Sequence, residues 1–583
     1  MTNRTHLMEN FPRKFDFRDG AVPYVLLAAV TFALYAPSLY FDFVWDDFAY
    51  VVQNYRIQGL AWINIKTFWT NTFLGHYAPV QQSFLAVVHA FAALDPFGYH
   101  LGQLLLHAAC VVLLYRLLAK IESARVALVA TLLFAVHPTN IETVAWVSES
   151  KSTLAFLFFL LSFWCFIRLR ERGHWHYGVL AALCLILSLL SKINTVVAPA
   201  IFLLYDYRQG ASLRTLKWRS LAPFFLIGGA FTVVHLSAFH GTASELESVY
   251  LGGPATHLMN LPFLLTFYLK MIVYPHPLSA WQMFPAQLQL DWNVALRWAA
   301  FAALGWILFR SRREVQFWGI WIFIFLLPVL QIIPFPIWVA DRYLYIPLVG
   351  GCVLLSRYYF QAVDRLGRWP RRALESAMLT ILFLLAWATV RHLPVWKNDL
   401  TLWTATTPTC MNSAYCHMNL GLSLLKNGQA NDGMAEMIRA VNIRQSRWTL
   451  EHLGDAYTLT ARDYGQAVTA YAMALEITGP VAAGELFGKL ARAHALAGDW
   501  QAAQRAVDSG RRFTPNDPNL WIADGYLLWK LGRWDEARDS LRRALALTGG
   551  TVPSNRLFTR FLGDAAEVGR MLADLRASQT TSQ

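Results

Sequence analysis

Along roughly the first two-thirds of the chain, apolar residues fall in long runs rather than in strict alternation. Runs near 21–40, 99–118, 124–138, 152–169, 177–190, 193–206, 219–239, 293–309, 315–333, 343–361 and 373–391 are separated by short polar, often basic stretches. Most approach the ~17–25 residues that cross the hydrocarbon core as a helix. The pattern predicts an all-α, polytopic membrane domain over residues 1–391. A further apolar segment, 261–274, is short for a span and contains Pro262 and Lys270. It is expected to be re-entrant or interfacial, which leaves about eleven crossings.

Beyond residue 391 the pattern changes. A linker is expected over 392–410 and a helical repeat from 411 to 583. Small residues recur at Gly421, Gly454, Ala491 and Gly525, close to the ~34-residue period of tetratricopeptide repeats. Tyr457, Tyr471 and Ala474 fit packing positions of the second unit. Gly498-Asp-Trp500 with Ala503, and Gly532-Arg-Trp534 with Ala537, fit the turns of the third and fourth. Small residues let the two helices of a hairpin approach, and aromatics fill the space between hairpins. An α-solenoid that binds a protein or peptide partner is therefore expected.

Composition agrees with this division. The 583 residues are 56% hydrophobic and 15% charged, with a formal charge of +13. That charge does not point to nucleic acid, because many cations lie in short loops between spans, where topology explains them. Arg4, Arg13, Lys14 and Arg18 precede the first span. Further clusters are Arg116/Lys120/Arg125, Arg168/Arg170/Arg172, Arg208/Arg214/Lys217/Arg219, Arg310/Arg312/Arg313 and Arg365/Arg368/Arg371/Arg372. With these inside, the N-terminus is cytoplasmic and the repeats face the periplasm or an equivalent lumen. Residues 21–40 lack a clear cleavage site and are expected to stay as the first span. Cys110, Cys165, Cys184 and Cys352 lie in apolar segments. Cys410 and Cys416 could form a local disulfide outside the cell or remain two thiols.

On this topology a long first loop, 41–98, lies outside, and its stretches 60–69 and 80–94 could lie flat on the membrane as amphipathic helices. The loop opens with an adjacent acidic pair, Asp46 and Asp47, beside the bilayer, where carboxylates are costly. A carboxylate against an apolar wall can have a raised pKa and act as a base toward a hydroxyl. Other outer loops bring His137 with Glu142, Glu149 with Lys151, Lys192, Lys270 with His276, and Asp341-Arg342. Lys151, Lys192, Lys270 and Arg342 run against the charge trend, as partners of a lipid-linked phosphate would. Taken singly, each could instead snorkel to headgroups. His137 and Glu142 could in principle hold a metal, but no tight ligand spacing is present and no cofactor is expected. His107, on a leucine stripe, reads as a core residue. No glycine-rich nucleotide loop is present, which disfavours a nucleotide-sugar donor.

Several ordered runs carry a family likeness: Trp45-Asp-Asp47, Gly98-Tyr-His-Leu with Leu104-Leu-Leu-His107, Ala135-Val-His-Pro138 with Glu142-Thr-Val-Ala-Trp146, Ser191-Lys192, Tyr274-Pro-His-Pro277 and Asp341-Arg-Tyr-Leu-Tyr-Ile-Pro347. With the repeats, they make the chain resemble the transmembrane and tetratricopeptide-repeat protein O-mannosyltransferases, especially their bacterial relatives, within the GT-C fold. The resemblance implies a polyprenyl-phosphate-linked mannose or other hexose as donor and a protein serine or threonine hydroxyl as acceptor. It implies that the acidic pair supplies the base; which of the two does so stays open, with Asp46 slightly preferred, and a bacterial inner membrane is the expected location. The chain departs from the family at Ser148-Glu-Ser-Lys-Ser152, where relatives often read Ser-Glu-Arg-Lys-Asp, and at Ala78, where they often carry a basic residue. Two other readings stand beside this one: a glycolipid ligase without a protein acceptor, and a non-catalytic scaffold that displays the repeats.

Overall fold

A computed structural model describes residues 20–212, 214–239, 254–332, 337–479, 483–547, 558 and 565–580. The N-terminal cations Arg4, Arg13, Lys14 and Arg18 lie outside the described residues. The chain divides into two compact units, 1–402 and 403–583.

In the first unit a helix lies over every predicted span. Among the described residues, seven helices are long and apolar enough to cross a membrane: Val22–Tyr40, Pro96–Ile121, Val147–Arg172, Trp218–Ser237, Ala255–Val273, Trp292–Arg310 and Arg368–Lys397. An eighth crossing is possible for the pair Ala124–Val136 and Pro138–Ala145, bent by 55°. The unit is that of a multi-pass integral membrane protein. The segment expected to be too short for a span is a correction. It belongs to a 20-residue helix, Pro254–Val273, that continues past Pro262. A proline inside a membrane helix removes only the bond to the carbonyl one turn earlier and need not end the helix.

Aromatic packing fills the interior. Phe166 stacks on Phe202 with centroids 4.5 Å apart, Phe163 lies 5.8 Å from Phe202, and Phe159, Phe317 and Trp321 gather around Phe163. Between apolar helices the hydrophobic effect gives little, so such contacts and close backbone approach hold the bundle. At Gly350 an added Cβ would come within 2.6 Å of the Trp318 carbonyl oxygen. At one end Glu122 accepts from Arg208 at 2.8 Å, from the Trp318 indole at 2.8 Å, and from Arg357. That carboxylate ties four helices together.

The first loop contains helices Trp62–Thr70 and Pro79–Ala92, as its patterning predicts. Each leaves large apolar groups outward, Trp62 at 75% and Phe91 at 90% exposure.

The second unit consists of helical hairpins. Ala414–Lys426 pairs with Ala430–Ile443, Arg447–Ala456 with Tyr464–Thr478, Gly484–Leu496 with Trp500–Phe513, and Pro518–Lys530 with Trp534–Leu547. Gly454 shows why the small positions recur: a Cβ there would lie 2.5 Å from the Tyr471 ring. Cys410 and Cys416 are joined in a disulfide.

Candidate active site

The acidic loop is built by its own carboxylate. Asp47 is fully buried. One of its oxygens accepts the Val44 N–H at 3.2 Å, and the other accepts the Ser148 N–H at 2.7 Å and the Ser148 hydroxyl. Both oxygens are thus committed to holding the loop against the Val147–Glu149 turn. Burial pushes the Asp47 carboxyl up to about 7, against the pull of these hydrogen bonds.

Asp46 is different. It is half-buried, and its carboxylate has no hydrogen-bond or ion-pair partner within contact distance among the described residues. Burial raises it above the ordinary carboxylate range, while Lys151 and Arg342 draw it down. A free, desolvated carboxylate near two cations is the arrangement of a general base.

Opposite lies a network of three cations and two carboxylates. Glu149 accepts from Lys192 Nζ at 2.8 Å and lies 3.5 Å from Lys151 Nζ and 3.7 Å from Arg342 Nε. Ser152 donates to Glu149 and accepts from Lys192 at 2.8 Å. Arg342 is bound on its other side by Glu142, which takes its backbone N–H at 2.7 Å and its guanidinium. Burial lowers the Lys192 ammonium to about 8, against the opposing pull of Glu149. A small cavity of about 20 Å³ opens beside Lys192, Asn194, Arg342 and Tyr343.

Aromatics wall the space. The Trp45 and Trp146 indoles stack at 4.5 Å, 3° from parallel, and Trp281 meets Trp45 edge-on at 6.3 Å. The Arg342 guanidinium lies 5.4 Å from the Trp146 ring, and Lys151 Nζ lies 5.0 Å from the Tyr50 ring. Such contacts favour a cation in a partly dry site. A larger cavity of about 490 Å³ runs between the first loop, at Thr70, Thr72 and Tyr77, and the helix Trp218–Phe239. Leu190 lies in its wall.

Of the residues picked from the sequence, Asp46, Asp47, Glu142, Lys151, Lys192 and Arg342 come together. His137 is buried beside them, with Nδ1 2.8 Å from Thr139 Oγ1 and Nε2 3.2 Å from the Ile272 carbonyl. It pins a helix break and contributes no ligand to the cluster. Lys270 is exposed and lies 6.0 Å from the Tyr274 ring, while His276 packs 5.9 Å from that same ring. Neither joins the network. The stacked Trp45 and Trp146 were not expected as site residues, although both stand in the runs that carry the resemblance. Asp341 orients the neighbouring loop by accepting from the Ser279 N–H at 3.2 Å and the Gln282 amide at 2.9 Å.

Comparison with known proteins points the same way. Residues 76–237 match the family described as dolichyl-phosphate-mannose-protein mannosyltransferase. The chain is 23% identical to protein O-mannosyl-transferase F38B6.6 of Caenorhabditis elegans, over 75% of this chain and 64% of that one. It is 26% identical to protein O-mannosyl-transferase TMTC4 of Mus musculus, over 70% of this chain and 66% of that one. A shorter stretch is 33% identical to TMTC2 of Mus musculus, over 31% of this chain and 23% of that one. The chain thus spans less than two-thirds of the length of these relatives.

Proposed function

We propose that the chain is a membrane-embedded protein O-glycosyltransferase. It moves mannose or another hexose from a polyprenyl-phosphate carrier to serine and threonine hydroxyls of extracytoplasmic proteins. The observation that carries this reading is the unpartnered Asp46 carboxylate facing Lys151 and Arg342.

In this reading the acceptor oxygen attacks the anomeric carbon while Asp46 takes its proton. The bond from that carbon to the phosphate oxygen breaks, and the electron pair leaves with the lipid phosphate. Lys151, Lys192 and Arg342 meet the charge that develops there, in a site where fixed charges act strongly. A base raised toward working pH combines ionisation with proton affinity. A single displacement of this kind inverts the anomeric centre. The reaction in this form calls on no metal. The cavity beside Thr72, Leu190 and Phe231 offers the prenyl chain an apolar path, with Leu190, two residues before Lys192, in its wall. The repeats recruit or orient the acceptor.

The reading also assigns sides: N-terminus cytoplasmic, repeats in the periplasm or an equivalent lumen of a bacterial inner membrane. Its supports are the basic clusters and the Cys410–Cys416 disulfide, a bond suited to an oxidising compartment.

The test is mass spectrometry of extracytoplasmic proteins from cells that carry the wild-type chain, Asp46→Asn or no chain. A hexose on serine or threonine that disappears with Asp46→Asn supports the proposal. A hexose retained at wild-type level in Asp46→Asn, or a change confined to glycolipids, sinks it.

A further inference from the structure

After the helix Arg368–His392 the chain makes a short turn, Leu393–Lys397, and begins a new helix at Asp399. This segment is packed against the acidic loop. Leu393 and Trp396 are buried, and the Trp396 ring lies 5.9 Å from Trp146. The Lys397 carbonyl accepts the Asp42 N–H at 2.9 Å. Asp399 Oδ1 accepts the Trp45 N–H at 2.7 Å, across 354 residues of sequence.

Trp45 has φ of 52°, a left-handed backbone. For a bulky residue this is a true outlier, and it persists only where the surroundings over-determine it. Three restraints do so here. The Asp399 carboxylate holds the Trp45 N–H, the indole lies flat on Trp146, and Val44 and Asp47 close on each other on either side. The same backbone turn separates the jobs of the acidic pair. It sends Asp47 inward to Ser148 and leaves Asp46 facing Lys151 and Arg342. A relaxed, extended Trp45 would re-aim Asp46.

We propose that Asp399 is a positioning residue for the Asp46 carboxylate. By holding the Trp45 N–H it keeps the left-handed turn that aims Asp46 at the acceptor hydroxyl. The proposal rests on the reading of Asp46 as the acceptor's base. What matters is an oxygen acceptor at residue 399. Asparagine can supply that acceptor through its amide oxygen, and alanine cannot. Because the donor phosphate is met by Lys151, Lys192 and Arg342, losing Asp399 should lower turnover and leave donor binding alone.

The full-length protein in proteoliposomes, given polyprenyl-phosphate mannose and the extracytoplasmic protein fraction of its host as acceptor, provides the assay. Asp399→Ala is expected to lower kcat about tenfold or more, with donor KM unchanged, and Asp399→Asn to restore most of kcat. Glycine takes positive φ freely. In a Trp45→Gly background, adding Asp399→Ala should therefore cost clearly less than it does in the wild type, a comparison unaffected by a general loss of folded protein. Wild-type kcat in Asp399→Ala overturns the proposal. So does equal loss in the asparagine and alanine variants, or an undiminished effect in the glycine background. An inert wild type, or an active Asp46→Asn, overturns the underlying reading instead.

Discussion

Ser148 donates its backbone N–H to Asp47 Oδ1 at 2.7 Å, across 101 residues of sequence. That bond gives the two neighbouring aspartates different fates. Asp47→Asn would place an amide donor among the N–H groups of Val44 and Ser148 and the Ser148 hydroxyl. Leaving a buried donor unmet costs about 1–3 kcal/mol. Asp47→Asn should therefore lose thermal stability and activity together. Asp46→Asn should keep the wild-type melting temperature and lose hexose transfer. Melting curves of the two variants in one detergent decide this, and a lower melting temperature for Asp46→Asn than for Asp47→Asn contradicts it.

The pH dependence of stability should carry the mark of Asp47. Its folded pKa, pushed up to about 7, lies above the ordinary 3.8. The folded state then binds the proton more tightly than the unfolded chain does. Its contribution is full below about pH 3.8, declines as pH rises, and is lost by about pH 7. Between those limits the slope from this group is about −1.4 kcal/mol per pH unit. Unfolding series across that window should show a flatter slope for Asp47→Asn than for wild type, and parallel slopes count against this assignment.

Glu149 occupies the cations that a phosphate would need. Removing its charge with Glu149→Gln should free Lys192, Lys151 and Arg342 and tighten binding of a polyprenyl phosphate by about tenfold, the weight of one interaction of about 1.4 kcal/mol. Lys192→Met should weaken the same binding. Quenching of tryptophan fluorescence on titration with the lipid, in the full-length protein, reads both. Weaker binding by Glu149→Gln would mean that the carboxylate organises the cations more than it competes for them.

In the repeats, Gly454→Ala should destabilise the second hairpin by about 1–3 kcal/mol. The added Cβ meets a Tyr471 ring that cannot easily retreat, since its hydroxyl donates to Asp455 at 2.7 Å. Earlier proteolytic cleavage near residues 457–463 in the full chain is the expected sign, and unchanged cleavage argues for a ring that moves aside.

Pattern alone carried much of this. Apolar runs located the helices, and the period of small residues located the hairpins. Lys151, Lys192 and Arg342 were legible because cations are scarce on that side of the bundle. The same criterion selected Lys270, which the helix Pro254–Val273 turns outward; scarcity says nothing about direction. That helix is longer than its apolar run suggests because it continues through Pro262, and the pattern of residues does not tell a proline that a helix tolerates from one that ends it. The bond between Trp45 and Asp399 was invisible for a different reason. It joins the two ends of the membrane unit, and no local pattern marks a contact of that kind.

The bend of 55° between Ala124–Val136 and Pro138–Ala145 carries a consequence for where water can go. A broken helix leaves carbonyls open, and in hydrocarbon each would invite a solvent molecule. Here the side-chain amide of Asn140 caps the Phe134 carbonyl at 2.7 Å, and the hydroxyl of Thr389 caps that of Val136 at 2.7 Å. The corner thus meets two of its open carbonyls from within the protein, so solvent need not enter to serve them, close to where Glu142 binds Arg342.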